Sequence, residues 1–251
     1  MTQRFPIISS GVGSDVVVLH GYPIGPGGVR ALVERLGEDF RVHVVDTSVA
    51  TLSDEEMVEA LEATLRAEGL DGSHVIGHSI GGYRALHLAV RGRVAIGSVV
   101  AIGAFPRLPE ETLESYEGLA AQLEVGALDV AAVATPLWFG EPFLRAHPKT
   151  IEMVRAWTDV LSDKIIAEQL RVFGHGPHLL PELSEIAQPV LFIVGDLDFA
   201  TPVEWSEQMA SEITDARVEV IPDSGHFPFM ENPVAFFSGL RRFLGTVALR
   251  A

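Results

Sequence analysis

The sequence predicts an α/β fold: a mostly parallel central sheet, helices on both faces, and a helical block inserted between two strands. Three observations lead there. Short apolar runs alternate with helix-length amphipathic segments from the start to about residue 104. The alternation lapses between 105 and 187, where proline-broken amphipathic segments replace strand signals, and it resumes from 188. Runs such as residues 16–19 and 189–195 are apolar at every position, as strands covered on both faces must be. Repeated strand–helix units of this kind build a parallel sheet.

Taken in order, residues 5–10 are a candidate edge strand and 11–15 a glycine turn. Strand 16–19 ends at His20-Gly21-Tyr22-Pro23, and a glycine-rich loop leads into a helix at about 29–36. Residues 41–46 form the next strand. Ser53-Asp54-Glu55-Glu56 reads as a capping box, with Ser53 as N-cap and Glu56 reaching back; Met57, Val58, Leu61 and Leu65 follow at helical spacing. An apolar run from His74 breaks at Gly77-His78-Ser79-Ile80-Gly81, and helix 83–90 follows. Residues 94–102 are another strand, ending at Gly103-Ala104-Phe105. The inserted block offers helices at about 113–123, 127–134, 141–146 and 151–161. Strand 189–195 comes next, then a helix opened by Thr201-Pro202. A half-buried strand at 217–221 precedes a last helix from Asn232-Pro233 that carries Phe236, Phe237, Leu240, Phe243 and Leu244. Residues 1–104 and 188–251 are thus expected to form the core, and 105–187 a cap over the sheet's C-terminal edge.

Composition narrows the function. The 251 residues suit one α/β domain with an insertion. There is no cysteine, which removes disulfides, thiolate metal sites and cysteine nucleophiles together. With 34 acidic against 18 basic side chains the net charge is −16, a surface that repels nucleic acid and anionic membranes. The N-terminal residues lack the apolar core of a signal peptide, and no apolar run approaches the roughly 18 residues of a membrane span. The expectation is a soluble cytoplasmic protein. No Asp/His cluster has metal-ligand spacing, so neither metal nor other cofactor is expected. Nothing in the sequence assigns an oligomeric state.

The Gly-x-Ser-x-Gly pentapeptide lies between a strand and a helix, the context a nucleophile elbow needs. A turn this tight strains the serine backbone, and only glycine fits two residues to either side. The helix beginning there points free N–H groups at the same place. Ligands and reacting groups collect at the C-terminal ends of strands in such sheets. Two other strand ends carry matching chemistry: Gly195-Asp196-Leu197-Asp198 and Asp223-Ser224-Gly225-His226. A serine hydroxyl needs a base in reach, and the base needs a carboxylate to fix its tautomer. Ser79, Asp198 and His226 supply these in the chain order Ser…Asp…His. Asp196 is the alternative acid.

Over nearly its whole length the chain resembles the α/β-hydrolase superfamily, in residues 16–23, 74–90, 189–202 and 221–244. The resemblance implies Ser79 as nucleophile, His226 as general base and then acid, and Asp198 as orienting carboxylate. It also implies an oxyanion hole made by the backbone N–H groups of Tyr22 and Ile80. The family's Gly-x-x-Asp spacing selects Asp198 over Asp196. Residues 135–148, which begin Thr135-Pro136-Leu137-Trp138-Phe139-Gly140, resemble the cap of 3-oxoadipate enol-lactonase-like hydrolases and carboxylesterases, and Asp198-Phe199-Ala200-Thr201-Pro202 is similar to the same branch. It implies a small-molecule ester or lactone as substrate, with Leu137, Trp138 and Phe139 lining the pocket. His20 is a further pocket candidate, with support of the oxyanion loop as its structural alternative; the aromatics have cap core as theirs. Arg145 and Arg155 are candidates to meet a substrate carboxylate, with solvated helix positions as their alternative. Many relatives carry an Arg- and Gly-containing loop where this chain has residues 47–52, and the shortened loop is expected to open the pocket on that side. Two other functions fit the same constellation: a carbon–carbon bond hydrolase or lyase, and a non-catalytic ligand receptor.

Overall fold

The structure, a computed structural model, describes residues 3–48 and 50–248. Among these residues seven strands form one sheet: β1 (Ile7–Gly11), β2 (Asp15–Leu19), β3 (Arg41–Val45), β4 (His74–His78), β5 (Ser98–Ile102), β6 (Val190–Gly195) and β7 (Ala216–Ile221). Their spatial order is β1-β3-β2-β4-β5-β6-β7. Only β1 runs antiparallel, against β3; every other pairing is parallel. The expected strand at 94–102 is shorter than its apolar pattern. Gly92 ends the preceding helix at φ 58°, and residues before Ser98 loop back, the Gly97 N–H donating to Ser73 O and the Gly72 N–H to Ala95 O.

Helices α1 (Arg30–Leu36), α2 (Asp54–Ala67) and α3 (Ile80–Arg91) connect the first strands. The capping box of α2 forms in both halves: Ser53 Oγ accepts from the Glu56 N–H, and Glu56 accepts from the Ser53 N–H. After β5 come α4 (Glu110–Glu124), α5 (Val130–Trp138), α6 (Glu141–Ala146), α7 (Thr150–Thr158) and α8 (Asp163–Leu170). The sequence pattern missed α8. Helix α5 begins later than expected because Asp129 caps it, its side chain accepting from the Ala132 N–H. Helices α9 (Val203–Ser211), α10 (Pro228–Glu231) and α11 (Pro233–Ala248) complete the chain.

Strand alternation divides the core in two. Val17 and Leu19 face the layer that contains Leu61 and Leu65 of α2 and Leu86 of α3. Val16 and Val18 face the layer with Leu32 of α1 and Phe236, Leu240 and Phe243 of α11. A sheet buried on both faces holds its strand ends rigidly, and Ser79, Asp198 and His226 follow the ends of β4, β6 and β7. Helix α4 packs on α8, and α5 on α7. No helix among the described residues is long and apolar enough to cross a membrane.

Candidate active site

Between β4 and α3 the backbone turns on Ser79, at φ 58° and ψ −123°. That left-handed conformation costs a non-glycine residue on the order of 1–3 kcal/mol, so the surroundings must enforce it. They do so by close approach. A Cβ on Gly77 would lie 2.1 Å from Gly81 O, and a Cβ on Gly81 would lie 2.3 Å from Leu19 O. The Ser79 N–H donates to Ile102 O of β5 at 2.8 Å. Ile80 is the first residue of α3, so its N–H has no acceptor inside the helix.

Asp198 and His226 meet across the ends of β6 and β7. His226 Nδ1–H donates to Asp198 Oδ2 at 2.8 Å, with both side chains buried. Asp198 is cradled further: its Oδ1 accepts the N–H groups of Ala200 and Thr201, each at 2.9 Å, and its Oδ2 accepts the Thr201 hydroxyl at 2.7 Å. Burial by itself raises this carboxyl, but His226 beside it and the Thr201 donors outweigh that and hold it below the usual carboxylate range. The His226 ring presses on Gly103, where a Cβ would come within 2.9 Å of it. That contact explains a glycine after β5. Asp196, the alternative acid, instead accepts the Ser224 N–H at 3.2 Å.

Three residues hold the loop that carries His226. His78, inside the pentapeptide, donates from Nε2 to His226 O at 2.9 Å. Desolvation, with His226 nearby, pulls the His78 imidazole down to about 3. Glu231 of α10 accepts three N–H groups: Gly140 at 2.7 Å, Gly225 at 2.9 Å and Phe227 at 3.0 Å. Burial raises the Glu231 carboxyl in spite of these donors, and the charge of Asp198 adds to the rise. The His226 N–H itself donates to Trp138 O at 2.7 Å. The histidine loop is therefore tied to the inserted block at Trp138 and Gly140.

A cavity of about 300 Å³ opens over the elbow, lined by Ser79, His226 and Tyr22 on the core side. Leu108, Thr112, Tyr116 and Leu123 line it from the inserted block, together with Val133, Leu137, Trp138, Ile166, Leu170 and Phe173. Phe199 and Thr201 complete the mouth near Asp198. The Tyr22 hydroxyl donates to Ile166 O of α8, which ties the loop after β2 to the block. Burial pushes the Tyr116 phenol up to about 12. The sequence missed Tyr116, Thr112 and the α8 residues because an apolar helix face signals burial without naming its neighbour.

Several expectations are corrected. Phe139 lies outside the cavity: it is 2% exposed and stacks on Phe227 and Phe143. The turn from α5 to α6 carries it into the core while Leu137 and Trp138 stay on the cavity wall. His20 is also not on the wall of that cavity. Its Nδ1–H donates to Gly21 O at 2.7 Å and its Nε2 accepts the Thr47 N–H at 3.1 Å, so it braces the loop that carries Tyr22. The loop at 47–52 does not open the pocket. Gln169 of α8 donates to Ser48 O and Ala50 O, leaving a crevice of about 20 Å³. Arg145 and Arg155 are paired on the surface, with Glu141 and Asp129. Among the described residues no group of His, Asp and Glu could hold a metal ion.

Comparison with known proteins bears on fold and chemistry. Residues 16–239 match the alpha/beta hydrolase family. The pimeloyl-[acyl-carrier protein] methyl ester esterase of Nitrosomonas europaea is 28% identical over 257 residues, covering 92% of this chain and 96% of that one. A thermophilic esterase from Thermogutta terrifontis superposes with a TM-score of 0.87 at 26% identity, covering 97% of this chain and 93% of the other. The enol-lactonase from Burkholderia xenovorans gives 0.83 at 21% identity, covering 96% of each chain; at that identity the likeness is one of fold.

Proposed function

The chain belongs to the alpha/beta hydrolase family, and on that premise we propose that it is a serine esterase, hydrolysing a carboxylic ester of a small molecule through an acyl-enzyme on Ser79. The observation that carries the reading is the buried His226–Asp198 hydrogen bond at 2.8 Å, with His226 on the same cavity wall as Ser79. The relative named as a methyl ester esterase supports the ester bond.

In this mechanism His226 Nε2 takes the Ser79 proton as Oγ attacks the ester carbon. The carbonyl oxygen becomes an oxyanion, held by the N–H groups of Ile80 and Tyr22; one such donor is worth about 10²–10³ in turnover. The tetrahedral intermediate collapses, and His226 returns the proton to the departing alkoxide, which leaves as the alcohol. Water then attacks the acyl-enzyme, giving a proton to His226, and collapse releases the acid while Ser79 regains its proton. Asp198 stays ionised throughout and keeps the Nδ1–H tautomer of His226 in place. A lactone would open by the same steps. Carbon–carbon cleavage would need polar groups to hold an enolate; Tyr22 and Thr201 already donate their hydroxyls to Ile166 O and Asp198, which leaves that task to the hydroxyls of Thr112 and Tyr116 on the far wall.

The test is hydrolysis of p-nitrophenyl butyrate by the wild type and Ser79→Ala, with mass spectrometry after a fluorophosphonate. The expected result is a loss of at least about 10⁴ in kcat and a single adduct on Ser79. Equal rates in the two proteins would overturn the reading; no turnover and no adduct would leave a ligand receptor in its place.

A further inference from the structure

The cavity wall is chemically one-sided. None of the described residues lining it is Asp, Glu, Lys or Arg. Apart from His226 and Thr201 beside Asp198, its buried members, such as Leu108, Leu123, Leu170 and Phe173, are apolar. The side-chain oxygens along it belong to hydroxyl groups. The cations of the inserted block lie elsewhere: Arg107, Arg145, Arg155, Lys164 and Arg171 each pair with a carboxylate on the surface, and Lys149 is exposed.

We infer that the site selects neutral, apolar acyl groups and rejects substrates whose acyl chain carries a free carboxylate. Three effects act in the same direction. A carboxylate drawn into the cavity loses water and gains no cation or buried donor array, a cost far above that of a methyl group. It would also enter a space backed by the ionised Asp198, and like charges repel strongly where water is excluded. Outside, the chain's net charge of −16 lowers the local concentration of anions at the mouth. The inference rests on the esterase reading for its products and adds a consequence to it. A neutral diester of a dicarboxylic acid is cut once, because the first hydrolysis creates the carboxylate that the cavity refuses. The monoester accumulates, and its second ester bond survives. The reaction that supplies this enzyme therefore delivers an ester whose acyl chain is apolar or masked at its other end.

The experiment compares methyl hexanoate, dimethyl adipate and monomethyl adipate at pH 7. The expected result is a kcat/KM for monomethyl adipate lower than that of methyl hexanoate by at least about 100-fold, with dimethyl adipate within about tenfold of methyl hexanoate and stopping at the monoester. Equal turnover of monomethyl adipate and methyl hexanoate would overturn the inference while leaving the esterase reading intact. Equally poor turnover of both adipates would also overturn it, because size and not charge would then be the cause. A binding measurement separates the inference from the chemistry. In Ser79→Ala, calorimetry should find methyl hexanoate bound and monomethyl adipate not bound at the same concentration. Equal binding overturns selection by charge even if no ester is ever cleaved. Val133→Lys places a cation on the half-exposed part of the wall, where a long stem reaches water. It should narrow the discrimination at least fivefold, and unchanged discrimination would count against a charge origin.

Discussion

The strand-end loops and the inserted helices build opposite walls of one cavity by different means. On the loop side each functional group is held by hydrogen bonds and backbone contacts. Ser79 is locked by Gly77 and Gly81, Asp198 takes three donors besides His226, and His226 is held through its N–H, its carbonyl and its ring. On the helix side the wall is made by Leu108, Leu123, Leu170 and Phe173, apolar side chains held by packing. Hydrogen-bonded geometry tolerates little change, whereas an apolar wall can be refitted with volume-conserving substitutions at about 1.5 kcal/mol or less. On the proposed reading, chemistry belongs to one wall and substrate choice to the other.

Asp198→Asn tests that division most severely. The amide keeps the shape of the carboxylate but turns one of its faces into a donor, so the His226 tautomer is no longer held. The fall in kcat should be about 10⁴, with the fold intact by circular dichroism and KM nearly unchanged. A loss below tenfold would mean that the Asp198–His226 bond is structural, and the contrast between the walls would collapse.

The same division decides what could be read in the sequence. The elbow was legible because a steric demand translates into glycine at two positions, and the loop order Ser79, Asp198, His226 follows from strand ends that the apolar runs mark. The α/β fold was legible from the same runs. The cavity wall was not. Leu137, Trp138 and Phe139 are consecutive and equally apolar, yet the first two line the cavity and Phe139 stacks on Phe227. The outcome depends on where the chain turns between α5 and α6. Nor does the sequence mark α8, whose Ile166 and Gln169 close the site toward Tyr22 and the loop at 47–52. His20 failed as a pocket residue for a related reason: a histidine's type does not say which way the backbone offers it a partner.

Glu231 joins the two walls, because it accepts from Gly140 of the inserted block and from Gly225 and Phe227 beside the histidine. In Glu231→Gln the amide nitrogen must face one of these N–H groups, and a buried donor is left without an acceptor at a cost of about 1–3 kcal/mol. The expected outcome is a kcat lowered about tenfold through displacement of His226, with a lower melting temperature and the preference among acyl chains retained. A changed acyl preference at full kcat would move Glu231 from the chemical wall to the selecting one.

The smallest effect on rate is expected at His78, and there the informative quantity is stability. Its folded-state pKa lies at about 3, pulled down first by desolvation and then by His226, against about 6.5 in an unfolded chain. Between these values the unfolded chain binds a proton at this position that the native protein refuses. The stability linked to His78 is therefore complete above pH 6.5 and is lost as pH falls toward 3. His78→Gln keeps a nitrogen donor near His226 O and removes the titration. From pH 7 to pH 4.5 the unfolding free energy of the wild type should fall more than that of the variant, by on the order of 2 kcal/mol, while turnover at pH 7 changes about twofold. Urea titrations at the two pH values measure the difference directly. Parallel losses in the two proteins would mean that the native protein protonates His78 within this range, which requires water at the base of the loop wall and not the dry, hydrogen-bonded packing that sets it apart from the helices above.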